Sequence, residues 1–232
     1  MNNYATTPNS DVEFSRADND SANRTIALWE IISIVISIEI AEWVVLALGP
    51  RNKLLLAIPC LAAISLVLFS KRQRSESWAD LGWRMDNFWT AFQSILLPTA
   101  IGAVFILVGG WCLSSFHFSR TNLFTWALGL PVWAFAQQFI LQSFVNRRSQ
   151  IAFGSGMRSV LIVAIIFMVF HLPNPLLMIS TFIGGAIWAR AFQRHPNLFV
   201  VALSHAFLSF LLALSLPNWL LNNLRVGFKY LA

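Results

Sequence analysis

Apolar residues in this chain run in long blocks and lack the period-two alternation of half-buried strands. The blocks are Ile26 to Leu48, Leu54 to Phe69, Phe88 to Leu113, Leu123 to Val145, Ser159 to His171, Leu176 to Ala191 and Leu198 to Leu216. Blocks of this kind predict helices, and a helix of about 17–25 apolar residues matches a bilayer's hydrocarbon core. The fifth and sixth blocks are short for a core about 30 Å thick and meet across Pro173 and Pro175, so one or both is expected to be tilted or incomplete. A further short helix fits Asn218 to Ala232. The expected fold is all-α, a polytopic transmembrane bundle of about seven to eight helices.

Composition agrees: 57% of residues are hydrophobic, 11% are charged and the mean hydropathy is +0.64, outside the usage of soluble domains. Residues 1–24 are polar and predict a disordered cytoplasmic tail, with no cleavable signal peptide. Residues 25–75 hold the first two spans, 76–216 a membrane core and 217–232 a short tail. Lys and Arg decide orientation, because basic loops stay in the cytoplasm. Arg16, Arg24, Lys71, Arg72, Arg74, Arg84, Arg147, Arg148, Arg158, Arg190 and Arg194 fall on one side, against Arg51, Lys53, Arg120, Arg225 and Lys229 on the other. The N-terminus is therefore expected in the cytoplasm. The net charge of +6 then reflects topology and the lipid bilayer as partner, and no nucleic-acid partner is implied. Cys60 and Cys112 fall within spans and read as small buried residues; Trp29, Trp43, Trp89, Trp111 and Trp219 suit interfacial anchoring.

Against this background a few polar residues stand out. His171 and His205 lie within apolar helical blocks, where an ionisable side chain points to function. Each belongs to an i, i+4 pair on one helical face, Phe167 with His171 and His205 with Ser209. Gln138 and Gln142 repeat the spacing on the fourth block, next to Gln137. At about 1.5 Å per residue the glutamines and His205 fall at similar depth in the cytoplasmic half, with His171 nearer the midplane. A single pocket there would hold all of them.

In order, these residues resemble the three blocks of the CAAX protease and bacteriocin-processing (CPBP, or Abi) family of intramembrane endopeptidases. That family carries Glu-Glu followed by Arg four residues after the second Glu, then Phe-x-x-x-His, then His-x-x-x-Asn or Asp. Here Gln137, Gln138 and Gln142 stand for the first block, Phe167 and His171 for the second, and His205 and Ser209 for the third. The gaps of roughly thirty residues agree, and Leu81-Gly82 resembles the family's lead-in loop. The resemblance implies a glutamate that, helped by a histidine, deprotonates water for attack on a peptide carbonyl. The second histidine and the third-block amide would stabilise the oxyanion. It also implies a membrane-associated peptide or protein substrate and a plasma membrane of bacterial type. No cofactor or metal is called for.

The departure falls on the base. A glutamine amide can orient a water molecule but has essentially no basicity at neutral pH. Gln142 in place of the arginine is consistent, since a cation that offset a buried carboxylate would be costly without it. Two routes to activity stay open: an imidazole acting as base, or a substitute carboxylate from Glu39 and Glu42, three residues apart on the first span. An outer interfacial position or pairing with Arg51 competes for that pair. Glu30 reads as snorkelling or capping, Arg147 and Arg148 as a topology signal closing the fourth helix, and His117 and His195 as solvated. Gly184, Gly185, Ala186 and Ala189 permit close helix approach. The chain is therefore expected to be an intramembrane endopeptidase with a modified Gln/His site, or alternatively a pseudoprotease that binds or escorts membrane peptides without cutting them. Interhelical hydrogen bonding, or a metal, haem or transport role for the histidines, remains the other alternative.

Overall fold

The computed structural model describes residues 10–48, 53–116 and 120–232. Its elements are helical throughout these residues. Helix α1 spans Ser10–Glu39 and continues as a π-helical segment Ile40–Val45; α2 is Lys53–Gln73 and α3 Phe88–Cys112. Helix α4, Arg120–Gln138, runs through a π-helical segment Phe139–Asn146 into α5, Arg147–Phe153. Then come α6 Met157–Val169, α7 Pro175–Arg194, α8 Leu198–Ser215, and the short α9 Asn218–Leu221 and α10 Phe228–Leu231.

Four helices among the described residues are long and apolar enough to cross a membrane: Phe88–Cys112, Trp126–Phe153, Pro175–Arg194 and Leu198–Ser215. Their outer faces carry exposed Leu97, Phe105, Trp111, Val132 and Trp133, a surface that suits acyl chains and would aggregate in water. Lipid tails are as apolar as leucine, so close packing and interhelical hydrogen bonds must hold such a bundle together. Helix α6 packs on α7, α8 against both α3 and α4, and α1 against α5. Ile34, Leu141, Phe144, Val163, Phe167 and Phe192 lie in the shared core.

Three differences from expectation have physical causes. Helix α1 begins at Ser10, within the stretch read as a tail; its residues 19–26 are exposed, so that part projects beyond the packed core. The fourth helix does not end at Arg147 and Arg148 but continues to Phe153, where Gly154 at φ +80° and Gly156 at φ +127° turn the chain into α6. Cys112 is exposed at the end of α3. His117 and Arg51 lie outside the described residues.

Candidate functional site

The glutamines enter the core on the fourth helix at the point where it widens. From Leu141 to Asn146 six consecutive side chains are buried, as happens where a helix passes through the middle of a bundle. A π-helical turn closes hydrogen bonds one residue further along the chain than an α-helix and so widens the helix locally. Gln138 and Gln142, both fully buried, take different partners. The Gln138 amide nitrogen lies 3.2 Å from His205 Nδ1, whereas the Gln142 carbonyl accepts from Asn146 Nδ2 at 2.9 Å. Asn146 in turn donates to the Ala189 carbonyl at 3.1 Å and accepts from Gln193. Through Asn146, Gln142 is linked to α7. Gln138 Oε1 and Gln142 Nε2 are left buried without a hydrogen-bond partner among the described residues.

The histidines are held differently. His205 sits within α8, whose start is fixed by Asn197 accepting from the Val200 amide at 3.1 Å. His171 does not lie inside a helix: α6 ends at Val169 and His171 occupies the turn that leads to Asn174. Pro173 and Pro175 stop the helix before His171 can join it, and Asn174 caps α7 by accepting from the Leu177 amide at 3.2 Å. The Phe167–His171 relation survives this change. His171 Nδ1 lies 2.8 Å from the Phe167 carbonyl, and the Phe167 ring meets both imidazoles edge-on, at 4.9 Å from His171 and 5.5 Å from His205.

These contacts fix the tautomers. A carbonyl only accepts, so His171 Nδ1 carries the proton and its Nε2 keeps a free lone pair. With the Gln138 amide nitrogen donating to His205 Nδ1, the proton of His205 is on Nε2. One imidazole therefore offers an acceptor and the other a donor.

The remaining expected residues are less closely placed. Gln137 and Ser209 are half-buried and outside the Gln138–His205 pair. Glu39 and Glu42 are half-buried and hydrogen-bond to neither histidine among the described residues, and Glu39 Oε1 and Glu42 Oε2 have no partner there. Glu42 reaches the His171 turn only indirectly. A Cβ on Gly227 would come within 2.9 Å of Glu42 Cβ, and the Gly227 amide donates to the Leu172 carbonyl at 2.7 Å.

Sequence reasoning missed a charged cluster two turns further along the same helix. Arg148 is 0% exposed. It donates to Glu76 at 2.7 and 2.8 Å and to Ser70 at 2.8 Å, and pairs with Glu30 at 2.9 Å. Arg147 also donates to Glu76, and Arg74 to Glu30. Arg148 is therefore a buried anchor as well as a count on the basic side, and Glu30 is an ion-pair partner. Burial pushes the Glu76 carboxyl up, but hydrogen bonds and charge from Arg148 and Arg147 outweigh it and hold Glu76 below the ordinary carboxylate range. The loop after Glu76 docks as well, with Ser143 donating to the Leu81 carbonyl at 2.6 Å and the Leu198 amide to the Gly82 carbonyl at 2.9 Å.

With this geometry in hand, comparison with known proteins is informative. Residues 119–211 match a family model described as Rce1-like, type II CAAX prenyl endopeptidase Rce1-like. The matched stretch contains Gln137, Gln138, Gln142, Phe167, His171, His205 and Ser209, the residues that carried the resemblance. No curated protein and no solved structure matches the chain.

Proposed function

We propose that this chain, with its Rce1-like stretch at residues 119–211, is a membrane-embedded protein of CAAX protease type that binds membrane-associated peptides without the glutamate-driven hydrolysis of that family. One observation carries the reading: within the Gln137-Gln138 pair that stands where the resemblance puts the catalytic glutamate and its neighbour, the Gln138 amide donates to His205 in a fully buried setting. A glutamate accepts protons; an amide in its place only orients. The neutral Gln142 beside Asn146 fits the same change, because an arginine there would be a buried charge without its carboxylate. The buried donor on His205 and the unpartnered oxygen of Gln138 suit the N–H and C=O groups of an extended peptide backbone.

A second reading is favoured by the free lone pair on His171 Nε2. In that reading His171 deprotonates water, the His205 Nε2–H stabilises the oxyanion, and the protein is a slow endopeptidase. Glu39 and Glu42 remain the candidates for an auxiliary carboxylate.

The binding reading is tested with the purified protein in nanodiscs and a panel of fluorescent membrane-anchored peptides. Saturable binding that Gln138→Leu and His205→Leu each weaken supports it. Binding by neither wild type nor variants, or binding indifferent to both substitutions, sinks it.

A further inference from the structure

His205 is enclosed by two aromatic walls, and the second of them has no role in the reading above. The Trp188 indole lies 4.7 Å from the imidazole at an interplanar angle of 36°, a tilted stack, while Phe167 meets the ring edge-on at 89°. Trp188 is itself tied down: its Nε1–H donates to Ser204 Oγ at 3.0 Å, and Ser204 shares a hydrogen bond with Thr99 Oγ1 at 2.8 Å. Thr99 and Ser204 are the polar residues in the lining of an otherwise apolar cavity of about 290 Å³ between α3 and α8. In that setting the two hydroxyls and the indole N–H satisfy one another, so the link is costly to break.

The Gly184-Gly185 pair makes room for both walls. A Cβ at Gly184 would come within 2.8 Å of Trp188 Cζ3, and one at Gly185 within 3.3 Å of the Phe167 ring and of the Ala164 backbone. The two glycines thus do more than let α7 approach α6: one clears the space for the indole and the other for the phenyl ring.

We infer that Trp188 is a positioning residue that sets the plane and tautomer of His205, anchored through Ser204 and Thr99 and admitted by Gly184. A planar wall restricts χ2 to the two orientations that share one ring plane, and in that plane the Gln138 amide holds Nδ1, so the Nε2–H stays aimed at whatever occupies the site. The inference rests on the functional reading above for its consequence, but its structural content is separate. The discriminating measurement is therefore made on His205 itself.

The experiment uses full-length protein in nanodiscs, labelled with ¹⁵N-histidine. Wild-type His205 is expected as a single Nε2-protonated tautomer. In Trp188→Leu and Gly184→Ala it should become a mixture of tautomers with broadened signals, while His171 is unchanged and affinity for a membrane-anchored peptide falls by about tenfold. Trp188→Phe, which keeps a ring face, should recover most of the wild-type spectrum. If Trp188→Leu also loses the His171 signal, Ser204→Ala decides, because it removes the indole's anchor, along with the Thr99 contact, while the Trp188 ring itself stays in place; there too the His205 signals should broaden selectively. Wild-type His205 signals in Trp188→Leu and Gly184→Ala, or in Ser204→Ala where that variant decides, would overturn the inference. Absence of peptide binding by wild type would count against the functional reading, leaving the tautomer result to judge Trp188.

Discussion

Gln138 and His205 stand sixty-seven positions apart in the chain and meet with the Gln138 amide nitrogen 3.2 Å from Nδ1 of the ring, both side chains buried. In a low-dielectric interior a pair of this kind is neutral, oriented and expensive to separate. It holds His205 in one tautomer, while the Phe167 carbonyl holds His171 in the other.

Removing the amide should therefore be felt first as lost stability. Gln138→Leu leaves a buried ring nitrogen without its donor, and a loss of about 1–3 kcal/mol is expected. Denaturant unfolding in a mild detergent checks the value. His205→Phe combined with Gln138→Leu should recover part of that loss, because an apolar pair has no polar group left unsatisfied.

Arg148 should be the most sensitive charged position. Replacing it with Met removes the guanidinium that Glu76 and Glu30 share and leaves them only Arg147 and Arg74, so a loss of about 3 kcal/mol follows. Arg148→Lys keeps the charge but not the fork that reaches Glu76, Glu30 and Ser70 together, so it should recover only part. Adding Glu76→Gln to Arg148→Met should restore more stability than Arg148→Lys does. Thermal unfolding of the four proteins side by side gives the order.

The same cluster sets a pH dependence. Glu76 has its folded-state pKa below the ordinary carboxylate range, so its contribution is complete above the unfolded value and is lost as pH falls through the folded one. Thermal stability is expected to hold on the neutral side and decline on strong acidification. Glu76→Gln should be less stable at neutral pH yet show a shallower acid decline. Unfolding midpoints measured across an acid series would reveal whether the two curves converge.

Gly82 offers a test of the lead-in loop. Its φ of +83° lies in the left-handed region, and a Cβ there would come within 2.8 Å of the Leu198 amide nitrogen and 2.7 Å of Phe192. Gly82→Ala should destabilise by more than about 1 kcal/mol and loosen the N-terminal end of α8. Faster hydrogen exchange at the Leu198 and Val200 amides would register the loosening.

The helical blocks were legible because hydrophobicity in a spanning helix is nearly continuous, and the family blocks because their spacing is independent of backbone detail. The His171 turn was read as helix since its apolar run continues through Phe170; Pro173 and Pro175 ended α6 earlier than that run suggested. The separate partners of Gln138 and Gln142 were hidden because His205, and the Ala189 carbonyl that holds Asn146 beside Gln142, are brought there by tertiary packing, which leaves no period in the residues themselves. Arg148 was counted correctly for orientation, yet a charge count cannot show that Glu30 and Glu76 return to it from distant segments. Trp188 was one tryptophan among ten, and neither its burial nor its stacking on His205 can be read from the residues themselves.

The central claim is that a neutral amide at position 138 has removed water activation while keeping a peptide-binding site. The most direct measurement is ¹⁸O incorporation from labelled water into the new carboxyl terminus of a membrane-anchored peptide, comparing wild type, the double variant Gln138→Glu with Gln142→Arg, and that double variant carrying His171→Ala. The account predicts no incorporation by wild type, incorporation by the double variant, and its loss with His171→Ala. Labelled product formed by wild type at the rate of the double variant would contradict it.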